Sequence, residues 1–183
     1  MSNLDGIVLG RFQPLHLGHI EYLQAAKARC MRLFVGVTNP DVESQIYNDA
    51  DPRRSISANN PYSYLERHLM IEDALRGLGW KYSDFCVIPI PLLSPERLTS
   101  YLPAPRSTVA YLTVYDEWGD QKVSLMRERG YQTDVMWRRD HSERFTSGTV
   151  VRSLIRSGQP WRHLVPDEIA HHVDALGVID NVN

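Results

Sequence analysis

The stretch Gly10-Arg11-Phe12-Gln13-Pro14-Leu15-His16-Leu17-Gly18-His19 decides how this sequence is interpreted. It follows the apolar run Ile7-Val8-Leu9 and precedes an amphipathic segment at residues 20–31, which predicts a strand, a glycine turn, a loop and a helix in that order. The two histidines then lie at the start of the helix, beside unpaired backbone N–H groups and the positive end of the helix dipole. Such a position favours phosphate binding.

Length and composition place the chain among ordinary globular domains. Its 183 residues, 43% of them hydrophobic and 23% charged, suffice for a sizeable core, so we expect one domain over residues 1–183. A net charge of −2 disfavours nucleic acid as a partner. Cys30 and Cys86 lie in apolar runs without metal-type spacing, which predicts buried, reduced thiols. The sequence has no signal-peptide pattern and no long apolar run, so we expect a cytoplasmic protein without membrane contact.

Apolar runs alternate with helical patterns along the whole chain. Strands are predicted at residues 7–9, 33–38, 85–90, 109–115 and 131–137. Helices are predicted at residues 17–30, 60–77, 121–129, 150–156 and 166–176, with Asn60-Pro61 opening the second of them. The side chains expected to face the core from the first two helices are Ile20, Leu23, Ala26, Ala28, Tyr62, Leu65, Leu69, Ala74 and Leu75. This alternation predicts an α/β, Rossmann-like fold, a doubly wound parallel five-stranded sheet with C-terminal helices.

Three remote stretches are expected to meet at one edge of this sheet. Ligands of doubly wound sheets bind outside the carboxyl ends of the strands, near the reversal of strand order. Residues 10–19, a polar elbow at residues 116–119 and residues 147–152 all belong to that edge. The long polar loop at residues 39–60 carries Arg53-Arg54, and a solvated surface and a phosphate site are equally good interpretations of this pair. Whether the loop forms an ordered lid is open.

The first motif suits a phosphoryl group undergoing transfer. His16 and His19 are three residues apart, so both rings can lie on one helix face, and either the neutral or the charged imidazole would serve. A zinc site and two incidental histidines are the alternatives, but neither a carboxylate nor a cysteine stands at a ligand spacing. Gly18 would let a planar base pack against the backbone.

The second motif, Ser147-Gly148-Thr149-Val150-Val151-Arg152, opens another helix. Its hydroxyl and backbone N–H groups could hold phosphate oxygens, and Arg152 offers a planar fork for bidentate contact. Taken alone, the motif is better explained by an ordinary N-cap followed by a surface arginine.

Together the two motifs resemble those of the HxGH nucleotidylyltransferase superfamily, which shares the first motif with class I aminoacyl-tRNA synthetases. The chain is most similar to the archaeal-type nicotinamide mononucleotide adenylyltransferases. No Lys-Met-Ser-Lys-Ser-like loop follows, which disfavours a synthetase. Besides the two motifs, the matching residues are Asn60-Pro61-Tyr62, Glu66-Arg67, Met70-Ile71, Glu128-Arg129-Gly130-Tyr131, Trp161 and His163-Leu164-Val165-Pro166.

The resemblance implies the reaction. A phosphate oxygen of the acceptor attacks the α-phosphorus of a nucleoside triphosphate in line, and pyrophosphate leaves. It implies His16 and His19 on the α- and β-phosphates, and Mg²⁺ bridging phosphates held by Arg11, Ser147, Thr149 and Arg152. The other nucleotide-binding residues expected are Gly10, Phe12, Gln13, Gly18 and Gly148, and no protein side chain is expected to bind metal. Acceptor binding is expected of Thr38, Asn39, Arg67, Tyr101 and Trp118.

The acceptor side departs from the family. The archaeal-type enzymes hold the nicotinamide ring with an Asn and a Trp after the third strand, whereas residues 92–101 contain neither, and Tyr101 is better interpreted as a core aromatic. The elbow Asp116-Glu117-Trp118-Gly119-Asp120-Gln121-Lys122 is similar to that of glycerol-3-phosphate cytidylyltransferases. Alternatively, Trp118 simply packs on the helix that it precedes.

The sequence therefore predicts nucleotidylyl transfer to a small phosphate-bearing acceptor. ATP and nicotinamide mononucleotide, giving NAD, is the first choice. A cytidylyltransferase acting on a small phosphate or phosphonate is the alternative, and a nucleotide-sensing module without turnover is a second alternative. A homo-oligomer is compatible with the sequence.

Overall fold

The strands form where the apolar runs predicted them, and every strand is short. The computed structural model describes residues 4–40, 59–92 and 94–176. The strands are β1 (Asp5–Gly10), β2 (Leu33–Thr38), β3 (Phe85–Ile90), β4 (Thr108–Val114) and β5 (Gln132–Arg138). The helices are α1 (Leu17–Lys27), α2 (Tyr64–Gly77), α3 (Glu117–Glu128), α4 (Gly148–Arg156) and α5 (Asp167–Leu176), with short 3₁₀ turns between some elements. None of these helices is both long and apolar enough to cross a membrane.

The five strands form one parallel sheet in the order β3-β2-β1-β4-β5, which confirms the predicted doubly wound fold. Alternate residues of β1 face opposite cores, because successive side chains of a strand point to opposite faces. Val8 packs with residues of α1, α2, α4 and α5, whereas Ile7 and Leu9 pack with residues of α3. The strand order reverses between β1 and β4, so a crevice opens there at the carboxyl edge.

Helix α2 begins three residues later than the sequence predicted. Ser63 is its N-cap, because the Glu66 N–H donates to Ser63 Oγ (3.3 Å) and the Ser63 N–H donates to Glu66 Oε2 (2.7 Å). This reciprocal capping box outcompetes the predicted start at Asn60-Pro61. Two side chains predicted for the core are exposed, Leu65 by 63% and Leu69 by 42%. Their places are taken by Met70 and Ile71, both fully buried.

Two other helix boundaries also differ from the prediction. Helix α1 ends at Lys27, so Ala28 is its C-cap and is exposed instead of facing the sheet. The predicted elbow is the first turn of α3, because the Asp116 side chain caps this helix by accepting from the Gly119 N–H at 2.9 Å. An N-cap Asp supplies the acceptor that the first turn lacks, which moves the helix start forward. The predicted loop with Arg53-Arg54 lies almost entirely outside the described residues.

One phenol bridges the sheet where its strand order reverses. Strands β1 and β4 pair only from Asp5 to Ile7 of β1 and then diverge. In the gap, the hydroxyl of Tyr22 on α1 donates to the Tyr111 carbonyl at 2.5 Å and accepts from the Leu9 N–H at 3.4 Å. Tyr22 is buried, so no bulk water replaces these bonds. The hydroxyl thus continues the β1–β4 pairing where the strands no longer touch.

We expect Tyr22→Phe to lower the free energy of unfolding by about 1–3 kcal/mol, because it leaves a buried N–H and a buried carbonyl without their shared partner. Urea unfolding followed by circular dichroism measures the change. Tyr101→Phe is the matched control, since the Tyr101 hydroxyl meets only an exposed partner, Arg97 Nη2, at 3.2 Å. Equal stability of the wild type and Tyr22→Phe would contradict the bridging role.

Candidate active site

A cavity of about 220 Å³ lies at the carboxyl edge of the sheet, where β1 and β4 diverge. Thr38 and Leu92 line it from the side of β2 and β3, and Thr113, Tyr115 and Lys122 line it from the side of β4 and α3. The three remote stretches of the sequence therefore do share one pocket. The predicted site residues that line this pocket are Gly10, Arg11, Phe12, Gln13, His16, Gly18, His19, Thr38, Trp118, Ser147, Gly148, Thr149 and Arg152.

The two histidines cap α1 with each other's backbone. The His19 N–H donates to His16 Nδ1 and the His16 N–H donates to His19 Nδ1, both at 3.3 Å. The rings stack with their centroids 3.6 Å apart. Because each Nδ1 accepts a hydrogen bond, the proton of each neutral ring resides on Nε2. The pair therefore offers two Nε2–H donors for a ligand.

Both imidazoles are neutral at physiological pH. Burial, reinforced by the positive charges of Arg144 and Arg152, lowers the pKa of His16 to about 3. Burial, and then the neighbouring His16 and Arg144, lowers the pKa of His19 well below its ordinary value. A neutral imidazole donates one hydrogen bond without needing a counter-ion, so the structure favours the neutral form of the two that the sequence allowed.

The Phe12 side chain packs against the histidine pair. Its ring is 1% exposed, meets the His19 ring edge-on at 4.8 Å between centroids, and covers Gly10, where a Cβ would come within 2.6 Å of Phe12 Cζ. The backbone of Phe12 has φ of +52°, a conformation that costs a non-glycine residue about 1 kcal/mol. Packing around the ring holds this strained turn. Phe12 lines the cavity and at the same time supports the histidine pair, so its predicted part in nucleotide binding stays a prediction.

The Gln13 side chain is also engaged by the protein. Its amide Nε2 donates to the Tyr62 carbonyl at 2.8 Å, and its Oε1 accepts from the Tyr62 N–H at 3.0 Å. The side chain is 3% exposed. Gln13 therefore anchors the segment before α2 to the first motif, and its amide is not directed to a nucleotide as the sequence predicted.

The N-terminus of α4 is pressed against the first motif. A Cβ on Gly148 would lie 2.6 Å from the Gln13 carbonyl oxygen, so only glycine fits at this approach. Arg152 Nη1 donates to the same oxygen at 2.6 Å, and Arg152 Nη2 donates to Asn59 Oδ1 (3.0 Å) and to Thr149 Oγ1 (3.3 Å). Ser147 caps the helix by accepting from the Val150 N–H at 3.3 Å. Two helix N-termini thereby border one cavity, which suits a polyphosphate.

The cavity lining is strongly cationic. Among the described residues it contains five cationic side chains and one carboxylate, Glu21, which binds both Nη atoms of Arg139 at 3.1 Å. Arg144 stacks on Tyr115, with its Cζ 3.9 Å from the ring centroid. The five cationic residues are Arg11, Lys122, Arg139, Arg144 and Arg152. This excess of positive charge attracts a highly anionic ligand.

Sequence reasoning missed Arg139 and Arg144 as site residues. Arg139 follows β5 directly and Arg144 lies five residues further along, in the charged loop between β5 and α4. The topology could have identified these two residues, because that loop leaves the same carboxyl edge of the sheet that carries both motifs.

Three residues predicted to bind the acceptor lie outside the cavity lining. Arg67 is completely buried, and its guanidinium donates to four backbone carbonyls of the described residues. One of those carbonyls belongs to Asn39. Tyr101 packs against the core on the α3 side of the sheet, as the alternative interpretation expected. Trp118 lines the cavity but is 8% exposed and also packs in that core.

A protein-bound metal has little support in the described part of the chain. No group of three or more His, Cys, Asp and Glu side chains there could hold an ion. Glu21, the carboxylate of the lining, is engaged by Arg139. A cation that enters with a nucleotide would therefore take its ligands from phosphate oxygens and water, as Mg²⁺ commonly does.

The doubly wound fold, the paired histidine donors and the cationic cavity are together typical of an enzyme that transfers a phosphate-containing group from a nucleotide. Residues 7–154 match the model of the cytidylyltransferase-like family, and the chain belongs to this family of nucleotidylyltransferases. This confirms the superfamily that the two motifs predicted.

Individual relatives differ in the reaction they are named for. The chain is 44% identical to a phosphonoformate cytidylyltransferase of Streptomyces viridochromogenes, over 97% of this chain and 94% of that one. It is 33% identical to a nicotinamide-nucleotide adenylyltransferase of Pyrobaculum neutrophilum, over 92% and 86% of the two chains. A solved bifunctional NMN adenylyltransferase/ADP ribose pyrophosphatase of Francisella tularensis superposes with a TM-score of 0.64 at 16% identity. The superposition covers 90% of this chain and 45% of the solved chain, and at this identity it supports the fold alone.

We expect Gly148→Ala to lower kcat/KM by about a hundredfold, because its Cβ clashes with the Gln13 carbonyl and separates the two helix N-termini. Steady-state kinetics measures the loss. The control is Ser153→Ala, an exposed position on the same helix, for which wild-type kinetics are expected. Full activity in Gly148→Ala would show that the close approach is dispensable.

Stability should fall as the pH is lowered from about 6.5. Unfolded His16 gains a proton below its ordinary pKa of 6.5, whereas folded His16 stays neutral until about pH 3. The unfolded state therefore binds more protons in this window, and the free energy of unfolding decreases there as protons are added. Urea unfolding at about pH 7.5 and about pH 5 tests this.

The contribution of His16 is isolated by His16→Gln, which should have a smaller pH dependence of stability than the wild type. His163→Gln, at an exposed position, should keep the wild-type dependence. An unchanged dependence in His16→Gln would refute the assignment.

Proposed function

We propose that the protein is a cytidylyltransferase that transfers CMP from CTP to a small phosphonate bearing a carboxylate, with phosphonoformate as the leading candidate. The observation that carries this proposal is the 44% identity to the Streptomyces phosphonoformate cytidylyltransferase along nearly the whole of both chains. It moves the preference from the adenylyltransferase that the sequence first suggested to the cytidylyltransferase alternative.

The acceptor side of the cavity supports a small acceptor. Among the described residues, Thr38 and Leu92 line the cavity on the side of β2 and β3, and Leu92 is 4% exposed. Tyr101, the aromatic side chain considered for stacking on a nicotinamide ring, is partly buried and packs against the core. The stretch after β3 also lacks the Asn and Trp that the resemblance assigns to nicotinamide binding. A small acid needs neither.

The charge of the cavity supports an acceptor with more than one acidic group. The triphosphate occupies the donors at the two helix N-termini, and Mg²⁺ offsets part of its charge. Nicotinamide mononucleotide carries a cationic ring beside its phosphate, whereas phosphonoformate carries a carboxylate beside its phosphonate. With five cationic side chains around the cavity, the second acceptor receives greater electrostatic stabilisation.

The chemistry requires no protein nucleophile. An ionised phosphonate oxygen forms a bond to the α-phosphorus of CTP, and the bond from that phosphorus to the oxygen bridging to the β-phosphorus breaks. Pyrophosphate leaves with the electron pair. The neutral Nε2–H groups of His16 and His19 stabilise the charge on the transferring group, and Arg11, Ser147, Thr149 and Arg152 hold the β- and γ-phosphates. Mg²⁺ entering with CTP would supply further charge compensation to the transferring phosphates.

The nucleoside of CTP is placed on the side of β4. Thr113, Tyr115 and Trp118 line the cavity there, and Lys122 follows one turn later on α3. This leaves the side of β2 and β3 to the acceptor, across β1 from the nucleoside. The two substrates would then meet above the histidine pair.

Pyrophosphate release should be observed with Mg²⁺, CTP and phosphonoformate, at rates well above those for other pairs. The assay combines ATP, CTP, GTP or UTP with phosphonoformate, nicotinamide mononucleotide or glycerol 3-phosphate. Release with ATP and nicotinamide mononucleotide, and not with CTP, would refute the proposal in favour of the adenylyltransferase. CTP binding without release from any pair would indicate a nucleotide sensor.

We expect His16→Ala to lower kcat by about a hundredfold or more with a modest change in KM, because one lost donor to the transferring group costs about 3 kcal/mol in the transition state. Steady-state kinetics separates the two constants. His163→Ala, at an exposed position, is the control and should behave as the wild type. A large rise in KM at unchanged kcat would mean that His16 only binds substrate.

A further inference from the structure

A completely buried arginine lies beneath the cavity. Arg67, on α2, has no exposed surface. Its Nε donates to the Ser63 carbonyl at 3.2 Å. Its Nη1 donates to the carbonyls of Arg11 (3.0 Å) and Thr38 (2.9 Å), and its Nη2 donates to the Asn39 carbonyl at 2.7 Å. These four partners, the ones found in the described part of the chain, are uncharged oxygens, whereas a buried guanidinium is ordinarily paired with a carboxylate.

The carbonyls held by Arg67 belong to the two chain segments that carry the two substrates. Arg11 lies at the end of β1 and is assigned to the phosphates of the nucleotide. Thr38 ends β2 and lines the cavity on the acceptor side. A single nitrogen, Nη1, donates to both carbonyls. The guanidinium is therefore a direct link between the nucleotide side and the acceptor side, although it touches neither substrate site.

The link also holds a strained turn. Asn39 follows β2 directly and has φ of +51°, a backbone conformation that non-glycine residues keep only when their surroundings enforce it. The hydrogen bond of 2.7 Å from Arg67 to its carbonyl supplies that constraint. The direction in which the chain leaves β2, and hence the position of Thr38, depends on this contact.

We propose that Arg67 is a positioning residue, which sets the distance between the acceptor and the α-phosphorus of the nucleotide by cross-linking the ends of β1 and β2. This inference rests on the proposed function, because it assumes that the acceptor binds on the side of β2. In-line attack demands close registration of the two substrates, and a displacement of about 1 Å costs about a hundredfold in rate. Arg67 thereby acts on kcat through backbone geometry.

An effect of Arg67 through its positive charge alone would be a different role from positioning. Burial lowers the pKa of Arg67 to about 10, so the group stays protonated at neutral pH and adds to the positive potential under the cavity. A lysine would keep that potential, but it cannot span three strand-end carbonyls with one planar fork. Arg67→Lys consequently separates geometry from charge.

The test measures Arg67→Lys with whichever substrate pair the wild type turns over. We expect kcat to fall by about a hundredfold, while the dissociation constants of MgCTP alone and of phosphonoformate alone, from calorimetry, stay within about threefold of wild type. The rate is normalised to the fraction of molecules that binds CTP, so partial misfolding does not mimic the effect. A normalised kcat within about threefold of wild type, or loss of binding of either substrate, would overturn the proposal.

Two controls separate positioning from general stability. Arg76→Lys changes an exposed arginine of the same helix, whose Nη1 donates to the Trp80 carbonyl, and should leave kcat unchanged. Met70→Ala, in the buried face of α2, should lower the melting temperature without lowering the normalised kcat. If Met70→Ala lowered the normalised kcat as much as Arg67→Lys did, the effect would be one of stability and the proposal would fail.

If the wild type is active only with ATP and nicotinamide mononucleotide, the phosphonate proposal fails and Arg67→Lys is tested with that pair. If the wild type is inactive with every pair, both proposals fail together. If only the prediction for Arg67→Lys fails, the proposed function is unaffected.

Discussion

The pocket depends on the contact between Gly148 and the carbonyl of Gln13. Helix α4 begins at this contact and α1 begins shortly after Gln13 along the chain, and Arg152 reinforces the contact by donating to the same oxygen at 2.6 Å. Each helix start leaves backbone N–H groups without intrahelical partners. Neither start alone would surround a polyphosphate, but side by side they form two walls of one cavity.

The histidine pair shows how the fold fixes a protonation state without an acidic partner. In many enzymes a carboxylate orients the imidazole and raises its basicity, whereas here the backbone N–H groups occupy both Nδ1 atoms. The surrounding arginines make protonation unfavourable as well. The rings are consequently poor acids and bases but well-oriented hydrogen-bond donors. That property matches a reaction in which charge develops on phosphoryl oxygens and the attacking group is already ionised.

The sequence predicted the sheet, and the meeting of the two motifs at one cavity, better than it predicted which residues line the cavity on the side of β2 and β3. Strands and the two glycine-containing helix starts are local patterns, so apolar runs and motif spacing reveal them. The predicted start of α2 at Asn60 was wrong because the capping box of Ser63 and Glu66 competes with it. Arg67 could not be assigned from its position, because its partners at Arg11 and Thr38 are 56 and 29 residues away. Such contacts depend on tertiary packing and have no sequence period.

The hydroxyl of Tyr22 has a consequence for how ligand binding and folding are coupled. Beyond the last paired residues of β1 and β4, the Tyr22 hydroxyl connects the two strands. The boundary between the two halves of the sheet, here called the seam, therefore lies directly under the cavity. A ligand with its phosphates on the β1 side and its nucleoside on the β4 side would span that seam. Its binding energy would add to the cohesion of the sheet, because a ligand that binds only the joined state stabilises that state by mass action. Substrate would thus act as a removable structural element of the fold.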